Sequence, residues 1–217
     1  MQRLRLKFGR CRELKYISHL DLMRLWQRAL RRAGMPIAYS QGFSPHPRLS
    51  IAAPLPIGVT SKGELIDIFL ERRASLSFFT KAVAAKLPPG IEISEVKEIW
   101  PNLPSLQSQV RYAEYRVEVE SDRELKEVQL AIRSLLGREQ LPWQHIRDKQ
   151  VRKYDLRALI HDLWIEDWHG TECTLGMRLR TDAGGAGRPE QVTLALGFPQ
   201  QPQSIHRTNL ILAGQAR

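Results

Sequence analysis

Residue types and spacings suited to chemistry fall in three places along this chain. The loop QGFSPHPRL, residues 41–49, sets His46 between Pro45 and Pro47, with Ser44 before and Arg48 after. Two fixed φ angles lower the entropy lost when a loop presents a side chain to a ligand, so His46 and Arg48 can contact a substrate from a fixed position. The alternative use is a turn in which His46 bonds backbone and the prolines brace it. In SHLD, His19 and Asp21 stand two residues apart at an expected helix start. That spacing puts them about 200° apart around the axis, so the helix alone does not let them share a ligand, and capping competes with function. The third place is TDAGGAGRPEQV, residues 181–192. Gly184, Gly185 and Gly187 let backbone amides approach a phosphate, with Arg188 and the helix start expected at Pro189 adding positive potential. The run is neither a Walker loop nor a dinucleotide fingerprint, and a flexible hairpin accounts for the same glycines. His206 and Arg207, before the last expected strand, are candidates to meet this turn.

Charge narrows what these groups can bind. Of 33 Lys and Arg against 23 Asp and Glu, 11 basic residues lie in the first fifty positions, beside only Glu13 and Asp21. Nearly the whole net charge of +10 is concentrated there, and a localised field attracts a polyanion more strongly than the same charge spread evenly. Nucleic acid is the first candidate; a solubilising basic face is the other use of such a charge. No stretch reaches the ~20 apolar residues of a membrane span, and the N-terminus is charged without an apolar core, so a cytoplasmic protein without membrane attachment is expected. Cys11 and Cys173 match no metal or redox spacing, and no metal or cofactor is expected.

The elements that must position these groups follow from periodicity. Leu4, Leu6 and Phe8 alternate with Arg3, Arg5 and Lys7, a half-buried strand with a basic outward face. From Ser18 or Asp21 as cap, a helix is expected to about Ala33. Leu22, Met23, Leu25, Trp26, Ala29, Leu30 and Ala33 share one arc, and Arg24, Arg28, Arg31 and Arg32 the opposite one. Strands at 49–53 and 64–70, a helix from Ser75 and a strand in IEISEVKEI complete a split βαβ, or ferredoxin-like, order. WPNLPSLQSQVR carries two prolines and little periodicity and is expected to be a linker. A second cycle then begins: a strand at Tyr115–Val119, a helix capped by Asp122 and closed by Gly137 at C′, a strand over Cys173–Leu179 with Arg178 and Arg180 on its polar face, and a last strand in TNLIL. The stretch Val151–Trp168 suits helix and strand alike. Trp143, Trp164 and Trp168 are expected in the core. The expected fold is α+β, tandem ferredoxin-like domains with antiparallel sheets: a basic N-terminal domain over residues 1–100, a linker over 101–111, and a diverged second domain over 112–217.

The segment KYISHLDLMRLWQRALRRAGMPIAYSQGFSPHPRLSIAAPLPIG, together with YDLRALI, GMRLRTDAGGAGRPEQV and HRTNLIL, resembles the radical SAM-linked family, also known as domain of unknown function 2344, over essentially the whole chain. The resemblance implies a setting beside, or fused to, radical SAM proteins, with no settled catalytic residues to carry over. Radical SAM chemistry needs three closely spaced cysteines for its [4Fe–4S] cluster. Here the two thiols stand at positions 11 and 173, so a radical SAM partner would have to supply it.

Three functions are compatible with these features. The preferred one is a non-catalytic RNA-binding module for tRNA or rRNA that presents substrate to a radical SAM partner, with Arg24, Arg28, Arg31, Arg32, His46, Arg48, Arg188 and Arg207 contacting RNA or its phosphates. A second is an RNA endonuclease of the CRISPR-processing type, with His19 or His46 as general acid or base; its support is analogy of fold. The third is a protein-interaction subunit whose basic face docks on an acidic partner, without nucleic acid.

Overall fold

A computed structural model describes residues 1–147 and 150–215 of the chain, which divides into two units, Met1–Val110 and Arg111–Arg217. Each is α+β, built on an antiparallel sheet.

The first unit runs β1 (Gln2–Arg10), α1 (His19–Arg32), β2 (Leu49–Ile51), β3 (Thr60–Leu70), α2 (Leu76–Ala84) and β4 (Ile91–Ile99). β1 lies at the centre, antiparallel to β3 with Leu6 opposite Ile66 and to β4 with Leu6 opposite Val96. β2 extends the other edge of β3, Leu49 facing Ile68. The strand order is therefore β2–β3–β1–β4. The alternation in β1 buries Leu4, Leu6 and Phe8 completely, in one core with Leu22, Trp26 and Leu30 of α1 and Phe79 and Val83 of α2. Phe8 meets the Trp26 ring edge-on at 5.0 Å. Ser18, not Asp21, caps α1, its Oγ accepting from the Asp21 amide at 3.1 Å. Gly34, at φ 68°, lets the chain turn away at the helix end.

The opposite face of β1 departs from expectation. Arg3 and Arg5 are buried, at 2% and 6% exposure. The fully buried carboxylate of Asp67 on β3, directly opposite Arg5, accepts from Arg3 Nη2 at 2.6 Å and from Arg5 Nε at 2.7 Å. Arg3 also donates to the carbonyls of Pro101, Leu103 and Pro104. The segment expected to be a linker is thus tied to this unit. It contains the short helix α3 (Leu106–Gln109), buries Leu106 and donates from Gln107 Nε2 to the Ile51 carbonyl at 2.9 Å. The physical reason is acceptor demand: buried guanidinium groups need partners, and this Pro-interrupted segment has carbonyls that no helix or sheet has taken.

The second unit runs β5 (Val110–Glu120), α4 (Leu125–Leu136), β6 (Pro142–Arg147), β7 (Gln150–Asp155), β8 (Ile160–His169), β9 (Glu172–Asp182), β10 (Gly185–Ala186), α5 (Pro189–Ala195) and β11 (Ser204–Leu212). β9 pairs antiparallel with β5 and β8, Met177 facing Tyr115 on one side and Leu163 on the other, and β11 lies beside β5. β6 and β7 form a separate hairpin. Apart from it and the two-residue β10, the two units share a plan of strand, helix, strand pair, helix, strand. In both, the first strand lies between the second strand of the pair and the last strand.

Several local expectations change here. Glu124, not Asp122, starts α4, in a reciprocal capping box with Glu127. Gly137 has φ −77° and is an ordinary right-handed C-cap. The stretch that suited helix and strand alike becomes the end of β7, one 3-10 turn at Arg157–Leu159, and β8. Trp143, Trp164 and Trp168 are not in the core. All three keep solvent exposure, and the Trp164 indole lies over Gly176, where any Cβ would sit 1.9 Å from its Cε2.

Candidate nucleic-acid interface

Burial of Leu22, Trp26, Ala29 and Leu30 fixes the rotation of α1, because residues at 100° steps that face away from that arc must meet solvent. Arg24, Arg28, Arg31 and Arg32 are all exposed. Arg24 is partly engaged, 3.3 Å from Asp21. Asp21 itself is held below the usual carboxylate range chiefly by the bond from the Ser18 hydroxyl, with the charges of Arg24 and Arg28 adding to it. Arg28 and Arg32 line a groove of about 460 Å³ together with Lys86 and Leu87 beyond α2. That groove offers three cations and no carboxylate. His19 has no part in it: it is half-buried, and its Nδ1 has no hydrogen-bond partner among the described residues.

The loop around His46 is closed at its base by a bridge between Tyr39 and Pro47. Ser40 clasps it from both sides, its amide donating to the His46 carbonyl at 2.8 Å and its Oγ accepting from the His46 amide at 2.9 Å. With the backbone so held, the His46 side chain and the whole of Phe43 are exposed. Arg48 is half-buried, its guanidinium stacked on the Phe69 ring 4.3 Å from the centroid.

In the second unit the expected site residues separate. Arg207 lies inside β11 and is 1% exposed; it is a core residue and cannot meet a phosphate in solvent. Arg178 is paired with Glu114, at 2.8 Å. The glycine turn also differs from a phosphate cradle. Its Gly184 amide donates to Asp182 Oδ1 at 2.7 Å and its Gly187 amide to the Arg180 carbonyl at 2.9 Å, so these donors are spent closing the β9–β10 hairpin. α5, only seven residues long, adds no anion site of its own. The turn instead fixes Arg180, whose Nε donates to both Asp182 oxygens at 2.9 Å.

Arg180 and Arg188, together with the hairpin, line a cavity of about 610 Å³. Arg152, Lys153, Tyr154 and Asp155 of β7 and His145 of β6 complete its lining. The His145 and Tyr154 rings meet edge to face at 5.5 Å, and the Tyr154 hydroxyl donates to Gln191 Oε1. Burial pushes the Tyr154 phenol up, against the opposing pull of the Arg188 charge and the Gln191 bond, so it is protonated at neutral pH. Arg152, Lys153, Tyr154 and Gln191 were not singled out from sequence. The available signal was the run RKYD, where cations adjoin an aromatic ring, a combination that suits nucleic-acid surfaces. Among the described residues no group of three or more His, Cys, Asp or Glu is placed to hold a metal ion, and no helix is long and apolar enough to cross a membrane.

Residues 3–189 match the model of a family described as an uncharacterized protein conserved in bacteria, DUF2344. Among solved structures, the chain is similar to one in a Cbf5–Nop10–Gar1 complex, at 10% identity and a TM-score of 0.53, covering 95% of this chain and 48% of that one. It is also similar to one in an H/ACA RNP bound to a substrate RNA containing 2'-deoxyuridine, at 10% identity and a TM-score of 0.49, covering 95% and 47%. The chain therefore spans about half the length of these structural relatives. The first likeness is one of fold. No curated protein matches the chain.

Proposed function

The chain belongs to the DUF2344 family, whose description assigns no activity, and from its charged surfaces we propose that it is an RNA-binding accessory module. In this reading it binds a transfer or ribosomal RNA and presents it to a radical SAM partner, without catalysing a step itself. The observation that carries the RNA part is the α1 face, where Arg24, Arg28, Arg31 and Arg32 all stand exposed opposite a buried apolar arc. Arg28 and Arg32 adjoin Lys86 in a groove lined without a carboxylate. Phosphate contacts of this kind supply affinity and orientation without reading sequence. The clasped loop is the part suited to recognition, with His46 and Phe43 held out to solvent.

Each unit is read as a split βαβ, ferredoxin-like repeat, because in both the first strand sits between the second strand of the pair and the last strand. The second repeat carries the β6–β7 hairpin as an insertion. The partner is inferred from the resemblance and from cysteine chemistry: two thiols, at positions 11 and 173, fall short of the three that anchor a radical SAM cluster.

The test is the salt dependence of RNA affinity. Replacing Arg28 and Arg32 with Ala is expected to flatten the plot of log affinity against log salt by about 0.7 per lost contact on a single strand. An unchanged slope identifies the face as a solubilising one and removes the proposal. Crosslinking and sequencing of bound RNA in cells then names the species.

A further inference from the structure

The cavity beside the inserted hairpin concerns side chains of the second unit only, and its chemistry stands apart from the α1 face. Its lining holds four cations, Arg152, Lys153, Arg180 and Arg188, against one carboxylate, Asp155. Asp155 is already committed, one oxygen accepting from the amides of Leu141 at 2.8 Å and Arg157 at 3.0 Å. Arg180 is neutralised and held in place by Asp182. Among the described residues Arg152, Lys153 and Arg188 have no carboxylate partner. Three cations lining one cavity repel each other, and an anion relieves that repulsion.

The rest of the lining narrows the anion. A volume of about 610 Å³ falls within the range of small-molecule sites, about 300–1,000 Å³, and is far larger than a lone phosphate fills. Tyr154 and His145 supply an aromatic wall. Gln191 uses its carbonyl oxygen on the Tyr154 hydroxyl, which leaves its amide nitrogen as a donor with no partner among the described residues. Charge for a phosphate, a ring to stack on and an amide to read a base edge or sugar hydroxyl are together what a phosphorylated nucleoside requires.

We infer that this cleft is a nucleoside-phosphate site, with the phosphate on Arg152 and Arg188 and the base against Tyr154, which shares the Arg152 face of β7. The same chemistry is carried by a free mononucleotide and by the phosphorylated end of an RNA strand. Because a mononucleotide offers no extended backbone, its binding is read independently of the arginines on α1.

Calorimetric titration of the full chain tests the site with AMP, UMP, adenosine, inorganic phosphate, and a tetranucleotide with a 5′-phosphate or a 5′-hydroxyl. A nucleotide is expected to bind more tightly by about tenfold or more than adenosine, which lacks the charge, and than inorganic phosphate, which lacks the base to stack. Arg152→Ala with Arg188→Ala is expected to cost about tenfold or more in nucleotide affinity with an unchanged melting temperature, both side chains being exposed. Tyr154→Phe retains the ring and is expected to bind within about threefold of the parent, whereas Tyr154→Ala loses the stacking, about tenfold. A 5′-phosphorylated tetranucleotide that outbinds both AMP and its 5′-hydroxyl form assigns the site to RNA ends; equal or weaker binding than AMP assigns it to free nucleotides. The inference is overturned if no nucleotide binds at millimolar concentration, if phosphate binds as well as AMP, or if the double variant binds AMP normally.

Discussion

The guanidinium of Arg180 lies across the backbone of Gly184, so close that a Cβ there would stand 2.3 Å from Nη2. The glycine therefore makes room for a side chain, while its amide closes the hairpin onto Asp182.

Gly184→Ala is accordingly expected to displace Arg180 without unfolding the unit. The clashing group is the far end of a flexible side chain, and Gly184 does not occupy a left-handed conformation. The expected stability loss is at most about 1 kcal/mol, while AMP, whose phosphate is held by cations other than the Asp182-paired Arg180, is expected to bind within about threefold of the parent. Thermal melts and the AMP titration, run on the same sample, check both.

Asp67 bears the opposite kind of risk. It is fully buried and is the carboxylate that Arg3 and Arg5 share. Asp67→Asn leaves two guanidinium groups buried without a carboxylate, and the expected loss is about 3–5 kcal/mol by urea denaturation. Replacing all three by apolar residues of similar volume is expected to restore most of that stability, because the desolvation cost disappears with the charges. A triple variant as unstable as Asp67→Asn would show that the bonds from Arg3 to Pro101, Leu103 and Pro104 matter more than the ion pairs.

How far the sequence revealed all this depended on whether the determining contact was local. The α1 periodicity, the narrowing of its cap to Ser18 or Asp21 and the exposure of four arginines are set within about four turns of one helix, and they were legible. The fate of Arg3 and Arg5 was not, since the period-2 pattern says that they share a face but not what covers it. The signal was Asp67 in the apolar run LIDIFL, a charge that a buried strand tolerates only with a partner. The turn at Gly184 suggested a phosphate loop because glycines free backbone amides. The structure uses two of those amides internally and lines the neighbouring cavity with cationic side chains. The hairpin that supplies Arg152 and Lys153 was hidden because its strands pair with each other instead of with the sheet that sets the periodicity.

Acid stability reports on Asp182. Burial alone would raise this carboxyl, but the bonds from Arg180 and the Gly184 amide, with the charges of Arg180 and Arg111, hold it below its ordinary value. A folded pKa below the unfolded one means that the unfolded state takes up the proton first as pH falls. The contribution is therefore complete above the ordinary carboxyl value of about 3.9 and is lost as pH drops through the depressed folded value. The stability difference between the parent chain and Asp182→Asn, from urea titrations at a series of pH values, is expected to be flat at neutral pH and to narrow below about pH 4.

Trp26 tests whether polar satisfaction or volume governs the first core. Its side chain is completely buried against Phe8, yet its Nε1 has no hydrogen-bond partner among the described residues. A buried donor left in that state costs about 1–3 kcal/mol. Trp26→Phe removes the donor and keeps an aromatic ring against Phe8, but it opens a cavity whose cost rises by about 24 cal/mol per Å³. The two terms are of similar size and opposite sign, so Trp26→Phe is expected within about 1 kcal/mol of the parent. Trp26→Ala, which removes the ring as well, is expected to lose about 3–5 kcal/mol. If urea denaturation shows the Phe variant losing as much as the Ala variant, the indole N–H is being satisfied in solution. Hydrogen exchange of that indole proton, slow for a bonded donor and fast for an accessible one, then decides whether a protein group or a water does so.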